Sequence, residues 1–154
     1  MKINFSKVFF SSLVIILLII SLNACKDEIL HDHEDHFEAE GMVFYIGDRK
    51  ILEIFRGVTQ DTFFVPVGST TSNITIKFLD SDRKVINPPD HKKKPMAYEI
   101  VDNSIVNIIQ APEKRGMYEF QFEGKKIGRT EVEFFIMHEG HPDFRSKRIP
   151  VKVN

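Results

Sequence analysis

Histidine is the residue type in this 154-residue chain whose number and spacing point most clearly to chemistry. Five of the six histidines fall in two short segments, and the sixth lies in a Pro-rich loop. In chain order they are His31, His33, His36, His91, His138 and His141. Imidazole is the commonest protein ligand for metals, and together with carboxylates it suits Zn²⁺ or Cu²⁺. The histidines therefore predict a divalent transition-metal site.

Local spacing favours chelation by some of these side chains. His31 and His33 are two residues apart, so both imidazoles project from one face of an extended backbone. His138 and His141 are three apart, which on a continuous strand would put them on opposite faces. Gly140 lies between them and can take the positive φ that reverses the chain. A turn there would bring the two imidazoles to one side.

The predicted ligands follow from this spacing. His138 and His141 come first, His36 next, and then His31, His33 and His91, with Asp143, Glu139 and Glu38 as a fourth ligand or as partners that orient an imidazole. A second interpretation stays open. Histidines in an acidic segment are often only solvated, and His138 and His141 would then hydrogen-bond Asp143 and fix the turn.

The elements that must position these residues are β-strands. From Phe37 onward the sequence consists of short β-branched and aromatic runs separated by turn residues, with 14 Phe and no Trp. The pattern predicts an all-β fold, an immunoglobulin-like β-sandwich of about eight to nine strands. The predicted strands are Phe37–Ile46, Arg49–Phe55, Thr62–Val67, Ile74–Leu79, Met96–Val101, Ile105–Ile109, Met117–Phe122, Arg129–Met137 and Lys147–Val153. Residues 138–144 are predicted to form a loop.

Strand order adds an argument that the histidines meet. If the early strands alternate in direction, the start of the first strand lies at the same end as the loop that follows Ile74–Leu79. In an immunoglobulin-like arrangement the loop before the last strand lies there too. The histidines of the three segments would then share one end of the sandwich.

The N-terminal residues have the pattern of a secretory leader. Lys2 and Lys7 precede an almost wholly apolar run that is short for a membrane span of about 20 residues. Leu22-Asn23-Ala24-Cys25 then resembles the lipobox of bacterial lipoproteins. The resemblance implies cleavage before Cys25 and acylation of its sulfur and amine. Several acyl chains would hold the protein firmly on a membrane, whereas a single chain gives only marginal binding. Cys25 is the only cysteine, which excludes a disulfide and a thiolate metal site within the chain.

These features divide the chain into a lipoprotein signal peptide (1–24), an acidic His-bearing tether (25–36) and a β-sandwich domain (37–154). The expected location is the cell envelope, lipid-anchored at the outer membrane. Lys26-Asp27-Glu28 resembles a short signal that exports some lipoproteins to the cell surface, but a solvated tether explains it equally well. The periplasmic face and the cell surface therefore both stay open.

Two further motifs resemble known sequences. Gly128–Phe134, read as Gly-x-Thr-x-Val-x-Phe, together with the closing Ile149-Pro-Val-Lys-Val153, resembles the last two strands of bacterial immunoglobulin-like domains. Phe37-Glu-Ala-Glu-Gly41 and His138-x-x-His-x-Asp-Phe144 resemble His-rich envelope lipoproteins that carry an acidic tether ahead of such a sandwich. This resemblance implies fold and location, and it implies no activity.

Charge and missing motifs exclude several classes of function. Residues 26–40 contain one lysine and seven acids, and the rest of the mature chain is only mildly basic, so no nucleic-acid surface is predicted. Lys92-Lys93-Lys94 is interpreted as a solvated run. Because no phosphate-binding loop, nucleophile elbow or H-E-x-x-H motif occurs, the chain is not expected to be an enzyme. Two functions remain: a metal-binding lipoprotein with Zn²⁺ or Cu²⁺ as its ion, or a structural module that binds an envelope protein or a glycan.

Overall fold

The structure of the protein is a computed structural model that describes residues 36–154. The predictions for the signal peptide, Cys25, His31 and His33 lie outside the described residues. Within residues 36–154, no helix has the length and apolar character that crossing a membrane requires.

The described residues form eleven β-strands and one short 3₁₀ helix. The strands are β1 (Gly41–Ile46), β2 (Arg49–Phe55), β3 (Phe63–Val65), β4 (Ile74–Leu79), β5 (Val85–Ile86), β6 (Met96–Ile100), β7 (Val106–Ile109), β8 (Glu119–Gly124), β9 (Gly128–His138), β10 (His141–Arg145) and β11 (Ile149–Val153), and the 3₁₀ helix covers Pro112–Lys114. They pair into two sheets. One has the order β2-β1-β4-β8-β7 with β5 beside β4, and the other has the order β10-β9-β11-β3 with β6 also paired to β9.

The core between the sheets is built largely from phenylalanine. Phe44 of β1 lies with its ring centroid 5.0 Å from Phe63 of β3 and 5.4 Å from Phe134 of β9, so it joins the two sheets. Phe120 of β8 lies 5.0 Å from Phe134. These contacts bury aromatic area in edge-to-face and tilted geometries, which adds to the hydrophobic stabilisation. The prediction of an all-β sandwich is confirmed.

Some predicted strand bounds are correct and others are wrong. The bounds of β2 and β4 agree residue for residue. Apolar and polar side chains alternate in β4, and the Gly47-Asp48 turn marks the start of β2. The prediction of eight to nine strands missed two short ones, β5 and β10. The prediction that residues 138–144 form a loop is wrong, because His141–Arg145 pairs with β9 in an antiparallel hairpin.

Candidate metal centre

His138 occupies the last inward-facing position of β9. Alternate residues of this strand, Val132, Phe134 and Ile136, are each 0% exposed and form part of the core. Because side chains on one face of a strand recur every second residue, His138 continues that row past the edge of the apolar core. Its side chain is 16% exposed.

A two-residue turn brings His141 next to His138. Glu139 and Gly140 have φ values of 48° and 87°, the pair of positive angles that a type I′ hairpin turn requires. His141 is therefore paired directly with His138 across the hairpin, and the two ring centroids are 6.0 Å apart. The prediction that a turn at Gly140 brings the two imidazoles to one side is confirmed.

Asp143 reaches the same face through a β-bulge. Pro142 pairs with Met137 and Phe144 pairs with Ile136, so Asp143 is an extra residue in β10 without a partner in β9. A bulge changes the direction of a side chain relative to simple alternation. As a result, Asp143 points inward like its neighbour Phe144, and its side chain is 0% exposed.

His36 comes to the site from the start of the sandwich. Phe37 packs its ring edge-to-face on buried Phe78 at 4.9 Å, and its backbone N–H points at Asp143 Oδ2, 3.4 Å away. The backbone N–H of Glu40 donates to the carbonyl of Leu79 at the end of β4. These contacts fix the segment before β1 beside the β9–β10 hairpin, as the strand order predicted.

The loop between β5 and β6 contributes Lys94. Its backbone N–H donates to the carbonyl of Asp90, and its own carbonyl accepts a hydrogen bond from the Tyr118 hydroxyl. The ammonium donates to Asp143 Oδ2 at 3.0 Å, and the Lys94 side chain is only 7% exposed. The prediction of a solvated run is therefore wrong for Lys94, which is buried by its ion pair with Asp143.

Asp143 is the centre of the cluster. His36 Nδ1 lies 3.0 Å from its Oδ1, and His141 Nδ1 lies 3.7 Å from the same oxygen. His138 Nδ1 lies 3.5 Å from Oδ2, the oxygen that also binds Lys94. One carboxylate thus faces three imidazoles and one ammonium.

The surroundings set the ionisation of two groups. Burial by itself would raise the pKa of Asp143, but the hydrogen bonds from Lys94, His36 and the backbone N–H of Phe37 stabilise the carboxylate and lower its pKa to about 2. Burial, together with the nearby charge of Asp143, raises the pKa of Tyr118. Asp143 is therefore an anion and Tyr118 a neutral donor at physiological pH.

The spacing of these atoms suits a bound ion. One ligand atom each from His36, His138 and Asp143 can be chosen so that all lie within 4.8 Å of one another. Two ligands held about 2.0 Å from one tetrahedral Zn²⁺ are about 3.3 Å apart. His36 Nδ1 lies 3.0 Å from Oδ1 of Asp143, and His138 Nδ1 lies 3.5 Å from Oδ2, so each imidazole is near this separation from a different oxygen of the carboxylate. The half-exposed His141 lies beside this trio, with its Nδ1 3.7 Å from Asp143 Oδ1.

One atom of the cluster lacks a hydrogen bond. His138 Nδ1 is buried and makes none with any of the described residues, although Asp143 Oδ2 is 3.5 Å away. A buried polar atom without a partner costs about 1–3 kcal/mol, so such atoms are rare. A metal ion coordinated by His138 Nδ1 would satisfy it.

The other predicted ligands lie outside this trio. His91 belongs to the loop that contributes Lys94, but its Nδ1 lies 4.0 Å from Asp90 and it is not part of the cluster. Glu139 is exposed at the hairpin turn, and Glu38 is exposed before β1, so neither belongs to the cluster.

Sequence reasoning missed Lys94 and Tyr118 as neighbours of the site. Lys94 stands at the end of a lysine run and directly before Pro95, where composition favours a solvated loop. Tyr118 alternates with Phe120 and Phe122, which is the pattern of a core strand. Neither pattern carries a signal for these contacts, because Lys94 binds Asp143, 49 positions away, and Tyr118 binds the carbonyl of Lys94, 24 positions away.

Comparison with known proteins does not place the chain in a family. No protein-family model and no curated protein matches the chain. Among solved structures, the chain is similar to domains 4 and 5 of the S-layer protein SbsC, with 13% identity and a TM-score of 0.40. The match covers 74% of this chain and 65% of that chain.

Proposed function

We propose that this protein is a lipid-anchored envelope protein that binds a divalent transition metal, Zn²⁺ or Cu²⁺, at one end of its β-sandwich. His36, His138 and Asp143 would be the ligands, and His141 would complete the coordination. The observation that carries the proposal is the buried Nδ1 of His138, which has no hydrogen bond to any residue of the described part of the chain and lies 3.5 Å from the buried carboxylate of Asp143.

The donor set supports the choice of metal. Two or three imidazoles with one carboxylate form the mixed nitrogen and oxygen set that Zn²⁺ and Cu²⁺ prefer, whereas Ca²⁺ and Mg²⁺ prefer oxygen ligands. The sandwich supplies rigid positions for His138 and Asp143. His36 is the last residue of the predicted tether, so a bound ion would also join the segment before β1 to the sandwich.

Calorimetric titration of the purified full-length chain in detergent with Zn²⁺ and with Cu²⁺ tests the proposal. We expect a dissociation constant on the order of 1 µM or tighter for the wild type. His138→Ala removes a ligand from a rigid strand and should weaken binding by about 100-fold. His91→Ala is the matched control, because His91 lies in a loop that reaches the site but is outside the ligand trio, and its binding should equal that of the wild type.

A variant that carries both His31→Ala and His33→Ala separates chelation by the tether from binding at the site. Its first, tight binding event should persist. Absence of wild-type binding, or equal binding by wild type and His138→Ala, would contradict the proposal. If the wild type and His138→Ala bind equally, the measured heat of binding comes from histidines elsewhere in the chain.

The lipid anchor makes an independent prediction. If Cys25 is acylated, cells fed radioactive palmitate should label the wild-type protein, and the protein should sediment with membranes. Cys25→Ala should lose the label, because no other cysteine is present to accept the chain. Equal labelling of the wild type and Cys25→Ala would contradict the lipobox interpretation.

A second function is favoured by a specific observation. Lys94 already neutralises Asp143, and the carboxylate also faces His36 and the backbone N–H of Phe37. The cluster would then hold the segment before β1 in position, in a module that binds an envelope protein or a glycan. This function requires no metal, so the calorimetric titration discriminates between the two.

A further inference from the structure

Lys94 is the unusual member of the cluster, because a metal site does not require a buried cation. Its ammonium lies 3.0 Å from Asp143 Oδ2, and both side chains are almost fully buried. Within the described part of the chain, the cluster of His36, Lys94, His138, His141 and Asp143 contains one acid, Asp143, and one permanent cation, Lys94. The pair is therefore neutral before any ion arrives.

The backbone holds Lys94 in this position. Its N–H is bonded to Asp90, and its carbonyl is bonded to the buried Tyr118. Met96 begins β6 only two residues later, so the backbone of Lys94 is fixed, and at 7% exposure its side chain is enclosed by neighbouring atoms. A metal ion bound to Asp143 would therefore share the carboxylate with Lys94 and would not displace it.

We infer that Lys94 acts as a built-in competitor that limits the affinity of the site for its metal, so that the bound ion remains exchangeable. This inference rests on the proposed metal-binding function. A divalent ion about 2 Å from the carboxylate would lie about 5 Å from the ammonium, close enough for strong repulsion. Lys94 also occupies one carboxylate oxygen and disfavours bidentate coordination, which larger oxygen-seeking ions such as Ca²⁺ use. An exchangeable site suits a protein that passes an ion to an acceptor, whereas a storage protein needs a tighter site.

The test compares Zn²⁺ binding by the full-length chain with binding by Lys94→Gln, which keeps a polar side chain and removes the charge. We expect Lys94→Gln to bind Zn²⁺ at least about tenfold more tightly. We also expect it to release Zn²⁺ to excess EDTA correspondingly more slowly in a stopped-flow experiment. Lys94→Arg is the matched control, because it retains the charge and should retain the wild-type affinity within about threefold.

A purely structural role for Lys94 would not produce this result, since loss of a supporting contact weakens binding. If Lys94→Gln is unfolded without metal, the zinc concentration that refolds it, followed by far-UV circular dichroism, gives the affinity. Wild-type binding with equal or weaker binding by Lys94→Gln would overturn the inference and leave the metal site intact. Absence of Zn²⁺ binding by both proteins would instead overturn the proposed function, and the inference with it.

Discussion

Replacing Asp143 by Asn should lower the free energy of unfolding of the metal-free protein by about 3 kcal/mol. The substitution keeps the size of the side chain and removes its charge, so the ammonium of Lys94 is left buried, at 7% exposure, without a counter-ion. The N–H of Phe37 and the ring of His36 lose a charged acceptor at the same time. Urea unfolding of the purified chain in EDTA, followed by circular dichroism, measures the change.

The double variant Asp143→Leu with Lys94→Met is the control. Because neither buried charge remains, most of the lost stability should return. A loss below about 0.5 kcal/mol in Asp143→Asn would mean that the ion pair is exposed to solvent. That result would contradict the burial of Lys94 and Asp143. The double variant should not bind metal, since it lacks the carboxylate.

The dependence of stability on acidic pH should distinguish Asp143→Asn from the wild type. The pKa of Asp143 is lowered from 3.8 to about 2 in the folded protein, so the folded state resists protonation that the unfolded state accepts. The stabilisation from Asp143 is therefore complete above about pH 4 and is lost as the pH falls towards 2. Asp143→Asn lacks this contribution, so its stability should fall less steeply over that range.

The sequence contained enough to predict the fold and the end of the sandwich at which the site lies. Alternation in Ile74–Leu79 and the Gly47-Asp48 turn before Arg49–Phe55 predict both strands correctly. The positive φ of Gly140 was predictable from the residue type, and it brings His138 beside His141. These features depend on interactions between near neighbours in the chain.

The composition of the site could not be predicted in the same way. The bulge that turns Asp143 inward depends on the register between β9 and β10, which a pattern of apolar and polar residues does not encode. Lys94 is in a run of three lysines whose other two members are exposed. Its burial depends on contacts with Asp143 and Tyr118, which are distant in sequence. Hydropathy alone therefore predicts an exposed side chain for Lys94.

Replacing Phe44 by Ala should cost more stability than any other change considered, about 4 kcal/mol. Phe44 is 0% exposed, and its ring contacts Phe63 and Phe134 of the opposite sheet, so truncation leaves a cavity that the two sheets cannot close. Urea unfolding measures the loss. Phe64→Ala is the matched control, because this side chain is 67% exposed and its removal should change stability by less than about 0.5 kcal/mol.

The same variant separates stability from metal binding. Phe44 pairs with Ile76 in the middle of β4, whereas the segment that carries His36 is bonded at Leu79, the end of that strand. Folded Phe44→Ala should therefore bind Zn²⁺ with the wild-type affinity, and Phe44→Leu offers a milder loss of about 1 kcal/mol if the alanine variant does not fold. Weaker binding by folded Phe44→Leu would mean that the ligand positions depend on packing throughout the core. Unchanged binding would mean that the β9–β10 hairpin, its bulge and the segment before β1 are sufficient to hold the ligands.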